Sequence, residues 1–485
     1  MSDMTPDDAA SVPQTILHWA RMTPDAPAVT EADRTQTYRA LATGIVRHAR
    51  ALQASGAGPG SFVGIQAQDR LLGLSLIVAC DVIGAIAVPL SPADLQGEPF
   101  VLSRCDILCS DTPATNAQAG LGTMPLETEA LRRIAAIPAD LSLLDTRGPD
   151  DALVKVARTS GSTGQPKLMG MTRRVLRSQI TRSTAERTLP SYVLDTICLY
   201  NFVPHWAYVE AAMSLRAGRT AVMSSFDVVH RDLARFPGGH ISLVAGDAGR
   251  LVEAEQVAAG GPWRCLLNTK GGALPAHRRE ALLRRIVTGL HASYGITETF
   301  RVSVIDADGI GHICPDTQCR ITSSDNRPLG LNETGVIEVR TPCLIDGYLW
   351  DEPATKATFI DGWYRTSDFG YMPAPDRLIL LGRVDDMLNL GGIKVAPDPL
   401  EDQIRALDGV QDAAVVALPN AQGITELTVA LCLTPDADPD AVHQGIGPIV
   451  APHAPYFIVR HMSSLPRTET GKPQRGEIRR LLGLA

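Results

Sequence analysis

The chain has 485 residues, 45% of them hydrophobic, with a formal charge of -8 at pH 7. That length accommodates two to four units of roughly 150 residues, each able to fill a core. The acidic balance argues against a dedicated nucleic-acid binder, which needs a basic face toward the phosphate backbone, although a small anion can still be held locally.

In chain order, Met1–Ala10 is polar and acidic without an apolar core, so it is not read as a secretory signal. Phe62–Ile65 predicts a strand, and Leu71–Ser91 predicts a buried helix followed by a buried strand. A membrane span is not expected there, because Asp81, Gly73, Gly84 and Pro89 interrupt a window that would need about 20 apolar residues. Leu153–Ala157 predicts a strand that runs into a loop at Thr159 and then a helix over 174–187. Thr220–Met223 and a helix near Leu233 repeat the alternation. This is the pattern of parallel sheets covered by helices, an α/β class. After Asp386 a small unit restarts, with strands at Val415–Leu418 and Leu427–Leu433, a helix around Asp440–Gln444 and a last helix at Arg475–Leu482. The nine cysteines lack scaffold density. Neither Cys105 with Cys109 nor Cys314 with Cys319 has C-x-x-C spacing, so reduced thiols in a cytoplasm are expected.

The residues Thr159–Lys167, T-S-G-S-T-G-Q-P-K, gather glycines, hydroxyls and a cation. Glycine lets the backbone approach an anion, hydroxyls and amides ring phosphate oxygens, and Lys167 supplies a point charge. Pro166 separates the last glycine from the lysine, so this is not the common G-x-x-x-x-G-K loop. A Ser/Gly-rich linker is the alternative reading. Four further elements follow in order: Tyr294–Glu298 (Y-G-I-T-E), Gly362–Asp368 (G-W-Y-R-T-S-D), Gly382–Asp386 (G-R-V-D-D) and Leu465–Lys472 (L-P-R-T-E-T-G-K).

Together these elements resemble the adenylate-forming superfamily of acyl- and aryl-CoA synthetases, peptide-synthetase adenylation domains and luciferases. Weaker matches at Gln36–Leu41 and Gly84–Leu90 extend the resemblance toward the N-terminus. It implies a large N-terminal domain of helix-covered mixed β-sheets over residues 1–382, holding the acid and ATP sites. A hinge at 383–386, centred on Asp385, would lead to a small mobile α+β domain over 387–485 that carries the catalytic lysine. A rigid connecting turn is the alternative at Asp385.

In such enzymes a carboxylate attacks the α-phosphorus of ATP and pyrophosphate leaves, so catalysis is positioning plus electrostatic stabilisation. The resemblance implies that Thr159, Ser160, Gly161, Ser162, Thr163, Gly164 and Lys167 hold the departing phosphates. Glu298, with Thr163, would bind Mg²⁺. An exposed helix-start carboxylate is the plainer reading of Glu298. Asp368 would bond both ribose hydroxyls, Arg383 the ribose or phosphate, and Tyr294 would lie near the adenine. Gly295, Thr297, Gly272 and Ala273 complete the ATP/AMP site. Lys472 would bridge the attacking carboxylate and the α-phosphate; a solvated surface lysine is its alternative.

Asn201–Trp206 resembles the family's P-x-x-H-x-x-G region, which assigns His205 to the catalytic set and the acid pocket, beside Trp206, Tyr208, Gly271 and Ile296. A satisfied structural histidine is the alternative. Aligning Glu210 and Gly218 with amino-acid-activating domains puts His205 where those domains keep an aspartate for the α-amine. An α-amino acid is therefore not expected, and a fatty or aromatic carboxylate is. Gly391, Gly392 and Lys394 resemble a loop lining a pantetheine tunnel, which points to a thiol acceptor: CoA, or alternatively an acyl carrier protein. Ser367, Leu168 and Pro399 depart from the pattern, which keeps open a lapsed fold that binds nucleotide without turnover.

Overall fold

Strand-length apolar runs alternate with helical segments, several of them opened by a side-chain cap. Thr37 caps the helix Tyr38–Ala54 by accepting from the Ala40 amide, and Asp69 caps Arg70–Val82 through the Leu72 amide, satisfying first-turn donors that lack helical partners. The computed structural model describes residues 6–482 except 8, 97–99, 113–120, 160–165, 188–191, 272–273, 275, 324, 385–386, 391–392, 420–424, 455 and 468–472.

One six-stranded sheet has the order Gly122–Pro125, Ile107–Ser110, Phe62–Gln66, Ile86–Pro89, Leu153–Arg158, Leu168–Thr172. All its pairs are parallel except the last, which is antiparallel. The buried helix and strand expected within Leu71–Ser91 are Arg70–Val82 and Ile86–Pro89. Among the described residues no helix is long and apolar enough to cross a membrane.

A second, 14-stranded sheet changes character along its length. The run from Val287–Ile296 through Trp263–Lys270, His240–Val244, Thr196–Cys198 and Ala221–Met223 to Pro27–Glu31 is parallel. On the other side of Val287–Ile296 come Phe300–Ile305, Gly311–Ile313, Arg377–Arg383, Trp363–Ala374, Gly335–Arg340 and Gln318–Thr322, all antiparallel. The segment from 294 to 300 thus lies at the change from one regime to the other.

From residue 388 onward the chain builds its own cores. Leu388, Leu400, Ile404, Val415, Val429 and Ile446 form one, and Ala414, Val416, Leu465 and Ile478 another. The strands Val410–Pro419, Thr425–Leu433 and Phe457–His461 make its sheet, with helices Pro397–Arg405, Pro439–Val450 and Arg475–Leu481.

One local expectation is corrected. The glycine loop does not lead from strand to helix: Thr159 donates its amide to the Lys167 carbonyl at 3.1 Å, and the chain returns as the antiparallel strand Leu168–Thr172 before the helix Arg173–Arg187 begins. The run L-M-G-M-T pairs back on Leu153–Arg158, and Gly170 permits it, because a Cβ there would lie 2.5 Å from Leu153. The departures from the family pattern fit this backbone. Leu168 is buried beside Val156, Ser367 sits exposed in an extended strand, and Pro399 falls in the first turn of Pro397–Arg405, where no helical donor is needed.

Candidate active site

Two of the sequence-assigned groups, Lys167 and Glu298, are joined by a residue that lies in none of the motifs, Tyr348. Lys167 leaves the hairpin loop half-buried, with its Nζ 4.6 Å from the ring centroid of Tyr348. The Tyr348 hydroxyl donates to Glu298 Oε1 at 2.8 Å and lies 3.1 Å from the Tyr364 hydroxyl. Backbone ties hold the same segment: the Ile345 amide donates to the Glu298 carbonyl at 3.0 Å, and the Leu349 amide to the Leu168 carbonyl at 2.7 Å. Glu298 is only 6% exposed, and it lies in the turn between Val287–Ile296 and Phe300–Ile305. This corrects the exposed helix-start alternative. Burial, followed by the Glu298 charge, pushes both tyrosine hydroxyls far above their ordinary range, so they remain hydrogen-bond donors.

Asp368 and Arg383 are cross-strand partners on the hairpin Trp363–Ala374 and Arg377–Arg383. Both are half-buried. Asp368 Oδ2 accepts from the Tyr294 hydroxyl at 2.7 Å, and the Asp368 amide donates to Thr366 Oγ1 at 2.9 Å. The Tyr294 ring is buried among Val302, Ile321, Ile337 and Met372, so its position is that of a core residue whose hydroxyl fixes a carboxylate. Gly295 is needed for close approach: a Cβ there would stand 2.4 Å from the Phe300 carbonyl oxygen. Ile296 and Thr297 are half-buried beside it.

His205 opens the helix His205–Arg216, whose cap Pro204 has no side chain to offer the first-turn amides. The imidazole is 4% exposed, and its Nε2 lies 2.7 Å from Gln179 Oε1. Burial, then the charges of Lys155 and Lys270, hold it well below the ordinary histidine range, so it is neutral at physiological pH. Further along the helix, buried Glu210 pairs with Lys270 Nζ at 2.5 Å and accepts from Ser242 at 3.0 Å. Lys270 also lies 4.5 Å from the Trp206 ring. Trp206 is half-buried, Gly271 is an exposed turn at φ +74, and Tyr208 is a core residue against Phe202.

Ser160, Gly161, Ser162, Thr163, Gly164, Gly272, Ala273, Asp385, Gly391, Gly392 and Lys472 lie outside the described residues, and Lys394 is placed only by its backbone, in the strand Ile393–Val395. The sequence reasoning missed Tyr348, Tyr364, Gln179 and Lys155. Of these, Tyr364 lay inside the G-W-Y-R-T-S-D element without being given a role, and Lys155 showed as a lone lysine inside the apolar strand L-V-K-V-A, where period-2 alternation reads such a lysine as solvent-facing.

The sequence profile of the AMP-binding enzyme family matches residues 16–349. A feruloyl-CoA synthase from Amycolatopsis is 27% identical over 500 residues, covering 96% of this chain and 97% of that protein. A 3-hydroxybenzoate–CoA/4-hydroxybenzoate–CoA ligase from Thauera aromatica is 27% identical over 510 residues, 93% of each. ATP-bound MatB from Rhodopseudomonas palustris superposes with a TM-score of 0.82 at 23% identity, covering 96% of this chain and 98% of that one, which shows the shared fold. The chain therefore belongs to the AMP-binding enzyme family, and with ligase relatives spanning over nine-tenths of it, it is an acid–thiol ligase of the AMP-forming type.

Proposed function

We propose that the enzyme activates a carboxylic acid with ATP to an acyl-adenylate, releases pyrophosphate, and passes the acyl group to the thiol of CoA. The observation that carries this reading is the convergence of Lys167 and Glu298 on Tyr348, at the foot of the glycine-rich hairpin. Lys167, beside the Tyr348 ring, would meet phosphate charge. Glu298 is a buried carboxylate oriented by a tyrosine hydroxyl, a hard-oxygen donor that suits Mg²⁺. Glu298, with Thr163, would hold that ion, which when bound neutralises charge on the phosphates. Asp368 accepts from the ribose hydroxyls, with Arg383 directly across the strand pair, and Tyr294 positions Asp368 rather than stacking on a base. Residues 1–382 and 387–485 act as two bodies about Asp385, and Lys472 stabilises charge at the α-phosphate.

The acid is aromatic or fatty, not an α-amino acid. A neutral buried His205 stands where a carboxylate would be needed to pair with an ammonium. The aryl acids in the names of the two curated relatives favour an aryl acid, and their CoA acceptor favours CoA over a carrier protein, with Gly391, Gly392 and Lys394 lining the thiol's path. Pyrophosphate release over fatty, aryl and amino acids, with and without CoA, tests the reading. AMP, pyrophosphate and an acyl-CoA are expected; ADP with orthophosphate, or no release with any acid, would overturn it.

A further inference from the structure

Lys155 is an anomaly of the fold. It sits in the strand Leu153–Arg158, opposite Met171, and so shares a sheet face with Ala157 and Met169. Those two residues pack with Tyr348, Tyr364 and Ile296, which puts the lysine on the face that looks toward Glu298. It is 1% exposed, and it makes no ion pair among the described residues. Its Nζ has the Val156 carbonyl at 3.5 Å and the Tyr208 ring at 5.9 Å. The nearby Arg158 repels it and is itself paired with Asp94. Asp81, whose charge reaches Tyr208, is engaged by Arg173.

The same place holds other unmet polar groups. Tyr208 and His205 lie three residues apart on one helix face, and the Lys155 charge acts on His205. His205 Nδ1 and Gln179 Nε2 are buried without a partner among the described residues. The helix that His205 opens adds an uncapped N-terminus, which favours negative charge. Buried polar groups left unpaired are costly, and an unpaired buried lysine is the costliest kind. Lys155, accordingly, is held down to about 7 by burial first and then by Arg158.

We propose that Lys155, Gln179 and His205 form a subsite for a second, ionisable oxygen substituent on the acid substrate, a hydroxyl or a carboxylate remote from the carboxyl group that is activated. The substituent accepts from Lys155 Nζ and Gln179 Nε2. When it is a protonated hydroxyl, it donates to His205 Nδ1, which carries the lone pair once Nε2 donates to Gln179. This deepens the ligase reading and rests on it. Lys155 is then a specificity residue: it selects among acids without touching the phosphates.

The test is pyrophosphate release from matched acids: benzoate, 4-hydroxybenzoate and terephthalate; cinnamate, 4-hydroxycinnamate and 4-carboxycinnamate. The hydroxyl or the carboxylate member of a set should exceed its unsubstituted parent in kcat/KM by about tenfold or more, the scale of a hydrogen bond to a charged group. In Lys155→Met and Gln179→Leu that ratio should fall toward one. Because it is a ratio, loss of active enzyme cancels. Which substituted member wins tells hydroxyl from carboxylate. Parents equal to both substituted members, or a ratio that survives Lys155→Met, would overturn the subsite while leaving the ligase reading intact. Release from no acid would overturn both.

Discussion

The Tyr348 hydroxyl donates to Glu298 Oε1 at 2.8 Å while the face of the same ring carries Lys167 Nζ at 4.6 Å. One side chain thus sets the distance between the loop cation and the buried carboxylate, so its two ends are separable by mutation. Tyr348→Phe keeps the ring and removes the donor. We expect the Mg²⁺ concentration for half-maximal adenylation to rise about tenfold, as for loss of a residue supporting a metal ligand, with KM for ATP little altered. Tyr348→Leu removes the ring too, and KM for ATP should rise as well. Indistinguishable Mg²⁺ titrations for wild type and Tyr348→Phe would show that the hydroxyl does not orient Glu298.

Tyr294 is a second positioning residue, since its hydroxyl donates to Asp368 Oδ2 at 2.7 Å. In Tyr294→Phe the carboxylate loses a charged-acceptor hydrogen bond of about 1.5–3 kcal/mol. KM for ATP should rise at least tenfold with a smaller change in kcat, read from ATP–pyrophosphate exchange. The same loss with 2′-deoxy-ATP as with ATP would argue that Asp368 does not meet the ribose.

The two half-reactions should come apart by mutation. Lys472→Ala is expected to slow acyl-adenylate formation by roughly 10²-fold or more, while supplied acyl-adenylate still reacts with CoA. Gly392→Leu should release pyrophosphate once, accumulate bound adenylate and form little thioester. Asp385→Pro should resemble Gly392→Leu by stiffening the hinge. If Lys472→Ala slows both half-reactions equally, rotation of the C-terminal body is wrong for this enzyme.

Lys155 also makes a prediction about pH. Its folded pKa, about 7, lies below the unfolded value near 10.4, so between them the unfolded chain binds more protons. The penalty of burying the ammonium is full below pH 7, and it is relieved as pH rises toward 10. Free enzyme should therefore gain stability from this group on going from pH 7 to 9, and Lys155→Met should be more stable at pH 7 with a flatter profile. Parallel denaturation midpoints for the two proteins at pH 7, 8 and 9 would contradict it.

The motifs singled out Glu298, Asp368 and Arg383, which the fold sets in a buried turn and across one strand pair, because such elements depend on residue type at short spacing. Composition and alternation did the same for the α/β class, whose buried strands need continuous apolar runs. Contacts between residues far apart in the chain left no comparable trace. Nothing near Tyr348 in sequence announces that it joins Lys167 to Glu298, and nothing in L-V-K-V-A says that Lys155 points inward. Period-2 alternation fixes which side chains share a face but not what covers that face. The strand Leu168–Thr172 was missed for a related reason: five residues of apolar sequence are strand or helix start alike until a partner strand is present. Here Leu153–Arg158 decided it, supplying the hydrogen bonds that make Leu168–Thr172 its antiparallel partner.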